Sequence, residues 1–362
     1  MLKPPRLLKL LRLKKLPSNQ IQNLEARVIL SGPLFTKMQP IEKSKDLIAE
    51  EEMKMAFTAK DVQTLRQMTG CGMMDCKKAL TETDGDMDKA VEYLREKGLA
   101  KAAKKAGRIA AEGVSYALVE NGVGALVEVN CETDFCAKSA PFVAFVKDIA
   151  KVVADNDPAD VDTLMNCKYP GTELTVSETM PEKVMSIGEN LQIRRFVRFA
   201  ENTSVGYVHA GGKIGVLVNL AVEGGVDATE IGKNVAMQIA ALNPRFWDKS
   251  QVTEDVLAEE KKVALALMDS DPKMASKPAQ VKEKIVMGKM NKFYEENCLL
   301  QMEFVRGDLF SGTVEQYIAD AGKKLGGSVK FLTAVRYQTG EGIEKKEENF
   351  AAEVAAQMNQ GK

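Results

Sequence analysis

From Met55 onward the spacing of apolar positions changes several times, and each change marks an element. Thr58-x-x-Asp61 has the form of a capping box, and Val62, Leu65 and Met68 follow it at helical spacing. Thr69-Gly-Cys-Gly72 interrupts the pattern, Met73 to Glu82 resumes it, Asp84-Gly85 turns the chain, and Asp86 caps a third helix that Gly98 is expected to end. With Ala79, Leu80, Ala90, Val91 and Leu94, these positions predict a marginally stable three-helix module over residues 55–98. An Ala/Lys-rich linker helix is expected over 99–111. Its Lys101, Lys104, Lys105 and Arg108 read as a solvated face rather than a phosphate-binding stripe, because no aromatic interleaves them.

The period then drops to two, and a repeat emerges. Tyr116-Ala-Leu-Val-Glu-Asn-Gly-Val-Gly-Ala-Leu-Val-Glu-Val-Asn130 aligns without a gap on Tyr207-Val-His-Ala-Gly-Gly-Lys-Ile-Gly-Val-Leu-Val-Asn-Leu-Ala221, at an offset of 91. Each run reads as a hairpin. The helices that follow match at an offset of 86, with Phe145, Ile149 and Val153 on Ile231, Val235 and Ile239, so the first copy has a connection five residues longer. Further strands close the copies at Leu191 to Phe199 and Ser328 to Arg336. The expected class is α+β, a duplicated core of two subdomains at 112–199 and 200–337. Residues 251–297 interrupt the second copy. Val256, Leu257, Val263, Leu265 and Leu267, a turn at Asp271-Pro272, and Ile285, Met287, Met290 and Phe293 predict an antiparallel coiled-coil arm. A helical module at 338–362 ends the chain, its amphipathic run beginning at Phe350.

The longer connection contains Thr133-Asp134-Phe135. An acid beside a large aromatic in a loop has two readings. It is a tip made to enter a partner, or the Phe folds back onto the core beside an Asp that caps the next helix. Its presence in one copy only favours use over packing.

Composition narrows the chemistry. Apolar content of 45% and charge of 28% over 362 residues suit a globular protein of two or three domains. The only histidine, His209, leaves little room for a Ser-His or Cys-His nucleophile or a His/Cys zinc site. No phosphate-cradling glycine motif is present, so no cofactor, resident metal or nucleotide site is expected, and the chain reads as a non-enzyme. The six cysteines form no CxxC pair and read as reduced thiols. Residues 1–54 carry 11 Lys/Arg and 6 Asp/Glu, a net +5, against −1 for the whole, so the body carries −6 and is not built primarily for nucleic acid. This basic extension resembles a transit peptide or membrane-surface helix. Glu50-Glu51-Glu52 before Met55 also suggests purine-rich codons, and the favoured reading is a disordered or translated leader.

Five segments in register resemble the bacterial elongation factor Ts family, the guanine nucleotide exchange factors of elongation factor Tu. They are Arg66-Gln-Met-Thr-Gly-Cys-Gly-Met-Met-Asp-Cys-Lys-Lys-Ala-Leu80; Lys101-Ala-Ala-Lys-Lys-Ala-Gly107; Glu128-Val-Asn-Cys-Glu-Thr-Asp-Phe135; Ile187-Gly-Glu-Asn190 with Ile193-Arg-Arg195; and Gly340-Glu-Gly-Ile-Glu-Lys345. The resemblance implies a ubiquitin-associated-like module, a core of two related subdomains, a coiled coil and a carboxy-terminal helix. It also implies a cytoplasmic factor that binds elongation factor Tu, GDP-bound or nucleotide-free, and promotes GDP release without covalent chemistry. By the same resemblance Thr133, Asp134, Phe135 and Cys136 form the loop that dislodges the partner's magnesium, and Met73 and Met74 contact the partner. His209 lies near that interface, although its turn is one residue longer than the family's. Direct nucleic-acid and membrane contacts are not implied, and a homodimer is left open. The competing class is a ribosome- or RNA-associated scaffold using the basic segments.

Overall fold

The structure is a computed structural model that describes residues 56–344. The basic extension 1–54 and the amphipathic run from Phe350 lie outside those residues. Helices and two small antiparallel sheets make an α+β fold.

Three helices lead: α1 (Ala59–Thr69), α2 (Met73–Glu82) and α3 (Met87–Lys105). The Thr58 hydroxyl accepts from the Asp61 N–H and the Asp61 carboxylate accepts from the Thr58 N–H, closing the capping box, and Gly70 ends α1 in a left-handed conformation. Leu65, Cys76, Leu80, Ala90 and Leu94 form the core of these helices, joined by Met185 from a later helix. Two expectations fail here. Met68 is 62% exposed rather than buried. Gly98 does not end α3, which runs on to Lys105 and absorbs most of the expected linker helix, while residues 106–111 are not helical. A Cβ at Gly98 would meet the Pro181 carbonyl oxygen at 3.2 Å. The glycine is there for close helix packing, which sequence alone does not separate from a helix stop.

The first sheet has the order β1-β2-β3, with β1 at Glu112–Glu120, β2 at Val123–Cys131 and β3 at Gln192–Phe199. Between β2 and β3 lie α4 (Asp134–Ala137), α5 (Ala140–Asn156), α6 (Val161–Met165) and α7 (Val176–Ile187). The second sheet has the order β4-β5-β6, with β4 at Thr203–His209, β5 at Ile214–Glu223 and β6 at Ser328–Gln338. Its covering helix is α8 (Thr229–Leu242). Phe145, Ile149 and Val153 of α5 pack on Val127 and Val129, and Ile231, Val235 and Ile239 of α8 pack on Val216 and Val218.

The gapless alignment of the hairpins is right for one strand and wrong for the other. Glu128 and Asn219, which it matches, both sit at the β-bulge of their strand. On the first strands it matches Tyr116 with Tyr207 and Ala125 with Val216. Tyr207 does pair with Val216, but Tyr116 pairs with Val127. A two-residue turn at Asn121-Gly122 is replaced by four residues between His209 and Ile214, so the register slips by two while each side chain keeps its face.

The two sheets stack through small residues. A Cβ at Gly215 would lie 2.6 Å from Leu126 and 3.0 Å from the Ser115 carbonyl oxygen, and one at Gly124 would lie 2.6 Å from Ser204. Glu128, fully buried, joins the first sheet to the end of the second. It accepts from Arg194 Nη1 at 3.0 Å, Arg195 Nε at 2.6 Å and the Gly340 N–H at 2.8 Å. Three segments far apart in sequence thus meet around one carboxylate.

The interruption of the second copy forms α9 (Glu254–Ser270), α10 (Pro272–Ala275) and α11 (Ala279–Asn297), followed by α12 (Val314–Lys324) before β6. Helices α9 and α11 pack antiparallel, since Val256 and Leu257 meet Phe293 while Asp269 pairs with Lys282. Their seam is Ala264, Met268, Val286 and Met290, with Leu257 at its edge. Val263, Leu265, Leu267 and Met287, expected in the seam, are exposed. Positions two apart fall about 200° apart on a helix, so 263, 265 and 267 cannot share a face, whereas 257, 264 and 268 do.

Candidate functional site

The strand β2 ends at Cys131, and the chain rises into a tip before α5. Thr133 is extended and its hydroxyl accepts from the Cys136 N–H at 3.1 Å, starting the four-residue helix α4. Thr133, not Asp134, is therefore the cap. Asp134 faces solvent and pairs with Lys138 at 2.6 Å, which holds its carboxyl below the usual aspartate range. Lys213, in the turn after β4, adds to that effect, and the same turn packs at the base of the tip, where a Cβ at Gly212 would lie 2.7 Å from Val114, beside the Gly113–Asn130 pair. Phe135 is 83% exposed, the most exposed large apolar side chain among the described residues. The fold-back reading of Phe135 is excluded. Cys136 and Ala137 point the other way, into the core of the first sheet.

The tip is held from below by Glu132, Glu189 and Asn190, which belong to two of the family-like segments but carried no assigned role in the sequence. Gly188 ends α7 in a left-handed conformation, and Glu189 then turns back under the tip. Its carboxylate accepts from the Glu132 N–H at 2.9 Å, the Thr133 N–H at 3.0 Å and the Thr133 hydroxyl at 2.6 Å. In return the Glu132 carboxylate accepts from the Asn190 N–H at 2.6 Å, and the Asn190 amide donates to the Arg108 carbonyl at 2.8 Å. Glu132 also pairs with Arg108 at 3.3 Å. Each hydrogen bond to a charged partner contributes about 1.5–3 kcal/mol. The sequence held one signal, a helix-ending glycine followed by Glu-Asn, but its partner lies 57 residues away.

Met73 and Met74 begin α2 and stay outside, 44% and 76% exposed. The beginning of α2 is tied to α3 by the Asp75–Lys101 pair at 3.0 Å, and α3 leads to the tip's support through Lys105, which donates to the Gly188 carbonyl, and Arg108. Three of the four cations once considered for phosphate therefore have partners inside the protein. His209 ends β4, exposed, with Nδ1 3.0 Å from the Tyr207 hydroxyl. It stands in the same turn region as Lys213 and so at the tip's end of the molecule. Thr133, Asp134, Phe135 and Cys136 form one unit with the His209 turn next to it, while Met73 and Met74 connect to it through α3.

Phe135 is thus held in solvent on a tip whose flanking residues are hydrogen-bonded to Glu189 and Thr133. The family model described as Elongation factor TS matches residues 132–341, which begin at the tip's strap. The chain is 46% identical over 309 residues to elongation factor Ts of Clostridium novyi (strain NT), covering 84% of this chain and 99% of that protein. The chain belongs to the elongation factor Ts family. Elongation factor Ts of Clostridium botulinum (strain Eklund 17B / Type B) is 46% identical over 308 residues, and that of Syntrophotalea carbinolica 45% over 307, each covering 83% of this chain and 99% of the relative. The protein is thus an elongation factor of protein biosynthesis, as the five sequence segments had led one to expect. Among the described residues no helix is long and apolar enough to cross a membrane.

Proposed function

We propose that this elongation factor Ts binds elongation factor Tu carrying GDP and promotes release of the nucleotide, without covalent chemistry or a cofactor of its own, in the cytoplasm. The observation that carries the reading is Phe135, exposed on a tip whose backbone is tied down on either side of it, at Thr133 and at Cys136. Leaving a Phe in water forgoes about 1.5–3 kcal/mol, which binding to a partner would recover. Thr133, Asp134 and Phe135 enter the partner near its magnesium and nucleotide phosphates, while Cys136, the fourth residue of the loop, anchors it in the core of the first sheet. The ionised Asp134 disturbs that site by charge, and Phe135 displaces neighbouring side chains. Met73 and Met74 supply a second, adaptable contact, and His209 a third beside the tip. The carboxy-terminal module and the α9–α11 pair, read as a coiled-coil arm, extend the surface, with a homodimer of the factor as a further state.

Magnitudes divide the work. A ten-thousandfold faster release needs about 5.5 kcal/mol off the barrier. The Phe135 tip supplies less than that, so the other contacts share the load through the coupling between partner and nucleotide binding. The internal pairing of Lys101, Lys105 and Arg108 favours this reading over an RNA scaffold. The test is release of a fluorescent GDP from elongation factor Tu, with and without residues 55–362. Acceleration is expected. An unchanged rate together with steeply salt-dependent RNA binding would replace exchange with the scaffold reading.

A further inference from the structure

Two buried cysteines bracket the tip. Cys131 closes β2 and Cys136 lies within α4, so the residues between them are the strap and tip, Glu132, Thr133, Asp134 and Phe135. Both thiols are free, and their sulfurs lie within 4.8 Å of each other and of a Glu189 carboxylate oxygen. Three such donors resemble a cation site, but Glu189 is already committed to three donors of the strap. A metal would have to break the Glu189 support of the tip, whereas joining the sulfurs would leave that support in place and give up only the contact of the Cys131 thiol with the Thr133 carbonyl at 3.3 Å. The main chain is also already closed, with the Ala137 N–H on the Thr133 carbonyl at 3.1 Å and the Ser139 N–H on the Cys136 carbonyl at 2.9 Å. A bond requires the two sulfurs, within 4.8 Å of each other, to approach to about 2 Å.

We propose that Cys131 and Cys136 are a modification site, a dithiol that hydroperoxides convert to a reversible disulfide stapling the base of the tip. Cys136, 7% exposed against 0% for Cys131, meets the oxidant first. Its sulfur attacks one peroxide oxygen, the O–O bond breaks, an alcohol or water leaves, and Cys136 becomes a sulfenic acid. The Cys131 sulfur then attacks the Cys136 sulfur. The S–O bond breaks, the S–S bond forms, and the departing hydroxide takes the Cys131 proton as water. Two thiols and one hydroperoxide thus give a disulfide, one alcohol and one water, the thiols losing two electrons to the peroxide. A small dithiol reverses the bond by exchange. The neighbouring Cys136 thiol, and burial after it, push the Cys131 thiol above its ordinary range, so Cys131 stays protonated and leaves the first reaction to Cys136.

The effect of the staple on exchange rests on the function proposed above, whereas formation of the bond does not. The test treats the folded full chain with hydrogen peroxide, counts thiols and maps peptides by mass spectrometry. Two of the six thiols are expected to disappear into one Cys131–Cys136 link, to return with dithiothreitol, and to leave Cys131 free in Cys136→Ser. Amide hydrogens of residues 133–137 should exchange about tenfold more slowly in the linked form. A sulfinic acid at Cys136 without a link, a link only at Cys71 and Cys76, or a link that forms only in urea would overturn the proposal. In the GDP-release assay, reduced and oxidised chains both failing would remove the exchange reading while leaving the mapped bond intact.

Discussion

The connections that leave β2 and β5 start from similar sheets and lead to similar helices, yet they end in opposite exposures. Residues 132–139 build the four-residue α4 and hold Phe135 in solvent. Residues 224–228 turn through Gly224 and Gly225, both at positive φ, and return Val226 to the second core. The difference is not one of order, since both are tied to the scaffold. Asp227 accepts from the Thr229 N–H at 2.9 Å in one, and Glu189 holds Glu132 and Thr133 in the other. An aromatic can be presented to a partner only where the backbone under it is satisfied by something else, and here that is a carboxylate from a distant turn.

The comparison breaks most completely if the common platform is lost. Gly215→Val puts a side chain against Leu126 and the Ser115 carbonyl. It is expected to lower stability by about 3 kcal/mol in urea unfolding, an overpacking cost, and to impair both halves together. Phe135→Ala separates them. GDP release should slow about ten- to a hundredfold, from the 1.5–3 kcal/mol of lost burial, with an unchanged melting temperature. The companion Val226→Ala should do the reverse, costing about 1 kcal/mol of stability with normal release. Equal activity of Phe135→Ala and the parent would remove the tip from the mechanism.

Smaller changes sharpen the contrast. Glu189→Gln retains one acceptor for three donors and should cost about 1 kcal/mol, with faster amide exchange at Glu132 and Thr133 and none at Thr229. The smallest effect is in pH. Asp134 and Asp227 both titrate below the ordinary aspartate value of 3.8, Asp134 chiefly through Lys138 and Asp227 through Thr229. A carboxyl depressed in the folded state stabilises it above the unfolded value, and that contribution is lost as pH falls below 3.8 through the folded values. Carboxyl titration by NMR should show Lys138→Met raising Asp134 toward 3.8 and leaving Asp227 unmoved.

Much was legible in the chain because its signals are local. The capping box at Thr58, the helix from Met73 to Glu82 and the buried stripes of α5 and α8 follow from neighbours within two turns. The prominence of residues 133–135 was legible too, from a connection five residues longer in the first copy than in the second. Misreadings came where one local signal serves two tertiary purposes. Gly98 signalled a helix stop and is a packing contact with Pro181, and apolar residues at alternate positions of α9 signalled a seam and face solvent.

By itself, then, the sequence determined the element types, the family and the residue types at the tip, since each depends on patterns within a few residues or on segments in register. The tertiary structure alone decided that Phe135 points outward, that Glu189 and Asn190 hold its base, and that Glu128 gathers Arg194, Arg195 and Gly340. These pairings span 56 to 212 residues, where no periodicity links the partners. Glu128 is buried and Glu132 and Glu189 are partly exposed, but each carboxylate takes up donors that only the fold brings to it from distant segments.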